Sequence, residues 1–135
     1  GGGLGVVYKS LSINSLFGPT SNVYDPSKSA GGSSGGASSA VAAGLLPFAD
    51  GTDQMGSCRG PAAYANIYGF RPTPGLIPVD HTGKKNNLPI LTTPGCFAKN
   101  PNDMSILLDE IVGSDPLDRF SFDLDGLFKN QNKNY

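Results

Sequence analysis

The chain has 135 residues, room for one domain at most, and a formal net charge of −1. That balance gives no electrostatic case for nucleic acid or a membrane surface, and no apolar run approaches the ~18 residues needed to span a bilayer. Charged residues are only 16%, and 19 Gly with 11 Pro make much of the chain loop, which suits the buried middle of a larger protein better than a free-standing domain.

Residues 1–30 form a lead-in segment. An apolar patch, Leu4–Tyr8, is predicted as a strand; the rest of 1–15 carries little. Gly18-Pro19 and Asp25-Pro26 make 17–28 turn-rich, with Lys28 at the surface. Residues 31–75 are the predicted core, opened by GGSSGG at 31–36. Such a stretch alone is more often a flexible linker than a site. Here it leads into an alanine-rich helix, Ala37–Ala43, which Gly44 stops. Leu45–Ala49 is too short for a helix and is predicted as a buried strand. A second small-residue loop, Gly51–Ser57, leaves the end of that strand. Two such loops joined by one helix–strand unit can face each other, which would bring Ser33 or Ser34 close to Ser57.

Pro61 suits the first position of a helix, PAAYANIY, that Gly69 ends, with Tyr64, Ile67 and Tyr68 on its buried side. Residues 71–75 force a turn. The second half of the core, 76–122, begins with a short predicted strand, Leu76–Val79, and a polar loop over 80–89. Thr92–Ala98 precedes a helix capped by Asn102 or Asp103 and terminated by Gly113. Its apolar side holds Met104, Ile106, Leu107, Leu108, Ile111 and Val112; Asp109 and Glu110 are its solvated face. The tail, 123–135, is polar and expected to be loosely held.

Glycine- and serine-rich loops of this kind suit acyl chemistry. Glycine lets backbone approach a ligand closely, and the exposed N–H groups form an anion-binding nest. Aimed at a carbonyl oxygen they make an oxyanion hole, where one donor is worth roughly 3–4 kcal/mol of barrier. Ser33 also lies near a helix N-terminus, whose dipole favours developing negative charge. Other chemistries fit less well. A nucleotide loop would end in Gly-Lys-Ser/Thr, and GGSSGGAS does not. No C-x-x-C pair marks a zinc site, so no metal or cofactor is expected, and Cys58 and Cys96 are read as free thiols. A catalytic thiolate needs a base or a positive neighbour. The chain's one histidine, His81, sits in a turn-like VDHTG as an exposed loop residue, so Cys58 is read as packing.

The stretch resembles the amidase signature family of amide hydrolases. That signature runs GGSSGG, an alanine-rich helix, then GTD, a glycine pair, Ser, any residue, Arg, any residue, Pro-Ala. Here it reads GGSSGG at 31–36 and GTDQMGSCRGPA at 51–62. YGFRPTPG at 68–75 matches the family's GxKPT element, FGPTSNVYDPSKSA at 17–30 its approach to the first loop, and TTPGCFAKNPNDMSILLD its GPMART-x-D-x-x-x-LLD segment. The resemblance covers residues 16–118.

The resemblance implies an α/β fold, part of an α/β/α sandwich around one large mixed sheet. It implies a Ser–Ser–Lys triad, with Ser57 as nucleophile and Ser33 as the bridging serine beside a cis peptide bond. A serine hydroxyl needs a base to attack an amide, and a lysine kept neutral by burial can serve. Ser33 would relay the proton between that lysine and Ser57, and later to the leaving amine. The N–H groups of Gln54, Met55, Gly56 and Ser57 would form the oxyanion hole. Asp53 and Arg59 would support the nucleophile loop, Ser34 would hold the first loop, and Thr52 would lie close to Ser33.

Two departures qualify the match. The family lysine stands in a Lys-Asp strand well before GGSSGG, and no Lys-Asp pair precedes Ser33 here; Lys9 has a Tyr-Lys-Ser context. The family's glycine pair is Met55-Gly56, and methionine there cannot adopt positive φ cheaply. The chain is therefore expected to be the central segment of an amidase acting on a small-molecule amide, with the remainder of the enzyme supplying the lysine. No nucleic-acid or membrane partner is expected, and a cytoplasmic location is favoured. The alternative is a catalytically inactive structural or interaction fragment.

Overall fold

A computed structural model describes residues 12–80 and 91–124. The expected strand at Leu4–Tyr8, Lys9, His81, nearly all of the polar loop and most of the tail lie outside the described residues. The lead-in segment makes a small antiparallel pair, β1 (Ile13–Asn14) with β2 (Gly18–Pro19), followed by turns in which Lys28 is exposed. Then come α1 (Gly35–Ala42), β3 (Phe48–Asp53), α2 (Arg59–Ala65), β4 (Tyr68–Phe70), β5 (Thr93–Ala98) and α3 (Pro101–Ile111).

The main sheet has the order β3-β5-β4, with both described pairings antiparallel. β5 is therefore central, and successive side chains along it point to opposite faces. Cys96 and Ala98 join Ile77, Met104 and Leu108 in one cluster, while Phe97 joins Val41, Cys58 and Ala62 in the other. Helix α3 thus covers one face of the sheet, and α1 and α2 cover the other. This is the expected α/β/α layering, built here on a small antiparallel sheet. Phe97 is fully buried, a burial worth roughly 1.5–3 kcal/mol.

Several boundaries differ from expectation. The strand predicted at Leu45–Ala49 begins at Phe48 and runs through Asp53, because β5 offers it a partner as far as Thr93. Leu45 is 76% exposed; it belongs to the turn after Gly44 (φ +76), where its N–H still bonds Ala40. Helix α2 starts at Arg59, not Pro61, and ends where Asn66 turns left-handed at φ 51. Its buried residues are Pro61, Ala62 and Ala65, whereas Tyr64 and Tyr68 are exposed. Small residues win that face because other backbone comes so close: a Cβ on Gly69, in β4, would stand 2.9 Å from the Cys58 carbonyl.

Leu76–Val79 is not a strand, although Leu76 and Ile77 are buried. It is held instead by single bonds: Leu76 N–H to the Thr73 carbonyl, Gly113 N–H to the Leu76 carbonyl, and Val79 N–H to Asp118 Oδ2. Thr92–Ala98, expected only as a lead into a helix, contains the central strand. Helix α3 is capped by Asn100, earlier than expected, whose Oδ1 accepts the Asp103 N–H at 2.9 Å. Pro101 takes the first helical position, where no N–H is needed. Met104 and Leu108 are buried, but Ile106 is half exposed. Glu110 is exposed as expected; Asp109 is half-buried, with a buried Oδ1 that has no partner among the described residues.

Candidate active site

The second loop is wound around one carboxylate. Asp53 ends β3, pairs across the sheet with Thr93 and has no exposed surface. Its Oδ1 accepts the Gly56 N–H at 2.8 Å, Arg59 Nη2 at 3.0 Å and Arg71 Nη1 at 3.2 Å. Its Oδ2 accepts the Cys58 N–H at 3.1 Å, the Arg59 N–H at 3.3 Å and Arg59 Nε at 3.0 Å. Burial alone would raise the Asp53 pKa. The Arg59 side chain and the amides of Gly56, Cys58 and Arg59 outweigh burial and hold the carboxyl well below the usual carboxylate range.

This anchoring fixes Ser57 from both sides, since the residue before it and the residue after it each donate to Asp53. The tight winding needs a positive φ, and Gly56 supplies it at φ +108. Met55 has no positive φ and is 78% exposed, so the strain expected there does not arise. The Gly56 N–H is directed at Asp53 rather than at solvent. In this arrangement the Gly56 N–H serves the loop.

The first loop meets the second through Ser34. Its N–H donates to the Ser57 carbonyl at 3.3 Å. Its hydroxyl accepts the Thr52 N–H at 3.3 Å and donates to the Thr52 carbonyl at 3.4 Å. Ser34 is the N-cap residue of α1, yet its side chain makes no capping bond; it is turned across to β3. Thr52, expected near Ser33, has its bonds with Ser34. The Gly32–Ser33 peptide is cis. The Ser33 carbonyl accepts the Ser12 hydroxyl at 2.8 Å, and Ser12 Oγ accepts the Gly35 N–H at 2.9 Å.

The structure thus brings Ser34, Thr52 and Ser57 together, with Ser33 adjoining them and Asp53 and Arg59 beneath. Sequence reasoning missed two contributors. Arg71 carried a signal, because it occupies the basic position of the GxKPT-like element. Ser12 carried none. Cys58 and Cys96 are free and fully buried. Burial, then the nearby Asp53 carboxylate and Cys96, pushes the Cys58 thiol up to about 12; burial pushes Cys96 up to about 11. Neither is a thiolate at neutral pH, in accord with packing roles. Among the described residues no cluster of His, Cys, Asp or Glu could hold a metal ion, and no helix is long and apolar enough to cross a membrane.

Residues 7–134 match the family model described as Amidase. A glutamyl-tRNA(Gln) amidotransferase subunit of Thermus thermophilus is 42% identical over 116 residues, which are 86% of this chain and 24% of that protein. Its counterpart in Cupriavidus metallidurans is 45% identical over 108 residues, 80% of this chain and 21% of that protein. Among solved structures, a bacterial aryl acylamidase of the amidase signature family superposes with a TM-score of 0.80 at 35% identity, covering 87% of this chain and 24% of that one. The 6-aminohexanoate cyclic dimer hydrolase superposes with a TM-score of 0.81 at 33% identity, covering 91% and 26%. The chain spans about a quarter of the length of the relatives it matches.

Proposed function

This chain belongs to the Amidase family, and on that premise we propose that it carries the serine pair of an amide hydrolase, with Ser57 as nucleophile and Ser33 as proton relay. Ser57 Oγ attacks the amide carbonyl carbon, and its proton passes through Ser33 to a neutral lysine. The oxyanion of the tetrahedral intermediate is received by the N–H groups of Gln54, Met55 and Ser57. The C–N bond breaks as the proton returns through Ser33 to the leaving amine. Water then hydrolyses the acyl-serine ester, with the same relay accepting and returning its proton.

The observation that carries this reading is the double anchoring of Ser57 on Asp53, together with the Ser34 N–H bond to the Ser57 carbonyl. Both loops are thereby set before any substrate arrives, so little ordering is left to the reaction. The lysine comes from a part of the whole protein that this chain does not contain, and the chain by itself is expected to be inert. The substrate class is a small-molecule amide. The relatives named above share this segment, about a quarter of their own length, while their names differ in substrate, which supports placing the chemistry here and the specificity elsewhere.

The test uses the full-length protein that contains this chain, treated with a fluorophosphonate and mapped by peptide mass. The expected adduct lies on Ser57. Ser57→Ala is expected to lose labelling and turnover while its melting temperature holds. Ser33→Ala is expected to slow turnover by orders of magnitude. Full turnover by Ser57→Ala would remove the nucleophile assignment, and an unchanged Ser33→Ala would remove the relay.

A further inference from the structure

We infer that Arg71 is a positioning residue for the oxyanion hole, a role that rests on the hydrolase reading above. Arg71 directly follows β4, and its side chain is only 24% exposed. Nη1 donates both to Asp53 Oδ1 and to the Gln54 carbonyl, each at 3.2 Å. Nη2 donates to the Leu91 carbonyl at 3.3 Å. The guanidinium therefore ties the end of β3 to the chain just before β5.

The bond to Gln54 has a consequence one atom further on. The Gln54–Met55 peptide is trans, so its carbonyl and its N–H point in opposite directions. With the Gln54 carbonyl pinned toward Arg71, the Met55 N–H faces away from the Asp53–Arg71 pair. A cation on the carbonyl oxygen also polarises that amide, which makes its N–H a stronger donor. Arg71 thus orients and strengthens one of the donors assigned to the oxyanion.

The other groups of the cluster do different work. Asp53 orients the amides of Gly56, Cys58 and Arg59. Arg59 is 55% exposed, and its side-chain bonds go to Asp53. Among the described residues, Arg71 is the cation whose side chain reaches a carbonyl of the nucleophile loop. A lysine, the residue that the family's GxKPT element carries at this position, keeps a cation for one carbonyl but lacks the planar fork that spans Gln54 and Leu91 in this chain.

The experiment compares Arg71→Met, Arg71→Lys and Arg59→Met with wild type in the full-length protein. Turnover of 4-nitroacetanilide and the rate of fluorophosphonate labelling at Ser57 are both measured, the phosphoryl oxygen of the probe standing in for the oxyanion. Losing a whole oxyanion donor costs about a hundredfold to a thousandfold in kcat. Misorienting one is expected to lower kcat by roughly tenfold to a hundredfold, with labelling falling by the same factor and KM within about threefold of wild type. Arg71→Lys, which keeps the charge and the fold, is expected to show the same split at the lower end of that range. Arg59→Met is expected to lose stability more than kcat.

If Arg71→Met does not fold, Arg71→Lys decides. Folded variants with kcat and labelling within twofold of wild type would overturn the positioning role. A loss that appears entirely in KM would overturn it as well. A wild-type protein that takes no label at Ser57 would overturn the hydrolase reading itself, a result separable from the other two.

Discussion

The Ser12 hydroxyl donates to the Ser33 carbonyl at 2.8 Å while accepting the Gly35 N–H at 2.9 Å. One buried side chain from the lead-in segment therefore ties both ends of the first serine loop. Ser12→Ala leaves a carbonyl and an N–H without their partner, at a cost of about 1–3 kcal/mol. We expect a lower denaturant midpoint, and slower fluorophosphonate labelling of Ser57 in the full-length protein. An unchanged midpoint would show that the hydroxyl holds nothing.

Asp53→Asn keeps the shape and removes the charge. Its amide nitrogen would face the N–H donors of either Cys58 and Arg59 or Gly56, and two guanidinium groups would lose their counter-ion. The expected loss is about 3 kcal/mol or more. The pH dependence has a definite sign. Because the folded-state pKa is depressed, the contribution of Asp53 is fully present above its unfolded value of ~4 and is lost progressively as pH falls from there through the folded-state pKa. The difference in melting temperature between wild type and Asp53→Asn should therefore shrink below about pH 4. A difference that stays constant down to pH 2 would contradict the anchoring role.

Cys58 and Cys96 are expected to resist iodoacetamide at pH 8 in the native protein. Their pKa values, pushed to about 12 and about 11, leave little thiolate, and both side chains are shut away from solvent. Both should be alkylated once the protein is denatured. Mass spectrometry before and after denaturant decides, and fast native alkylation of Cys58 would open the sulfur role that its packing denies.

Thr93 has a buried hydroxyl with no hydrogen-bond partner among the described residues. Thr93→Val keeps the volume and removes the desolvated oxygen, so it is expected to stabilise the protein by roughly 1 kcal/mol. Differential scanning calorimetry of the full-length protein checks the sign. A clear fall in melting temperature would mean that the hydroxyl has a partner after all.

Local signals were legible where local chemistry decides. The alanine-rich run and Gly44 fix helix α1, and the two serine loops announce that they meet. The central strand was not legible, because TTPGCFA carries a proline, a glycine and no alternation of apolar residues. It is a strand because β3 and β4 both pair with it. For the same reason the GTD residues, which look like loop, complete a strand. Tyr64 and Tyr68 looked like the buried face of the second helix, yet close backbone approach at Gly69 favours alanine there. Within the site, Arg71 was visible as a basic residue in a known element, but its bond to Gln54 needs the sheet to form first. Ser12 is one serine among many until the chain folds back on it.

The strand order also sets a schedule. β3 and β4 are not paired with each other; β5 lies between them and aligns their ends, so Asp53 and Arg71 reach one another only after the strand at Thr93–Ala98 has been inserted. On the ribosome, Asp53, Ser57 and Arg71 all emerge before that strand exists. A nascent chain halted at residue 92 would hold every group of the second serine loop and lack the template that joins it to Arg71. The bridge between Asp53 and Arg71 is thus deferred to a non-local step of folding, the pairing of β5 with both of its neighbours.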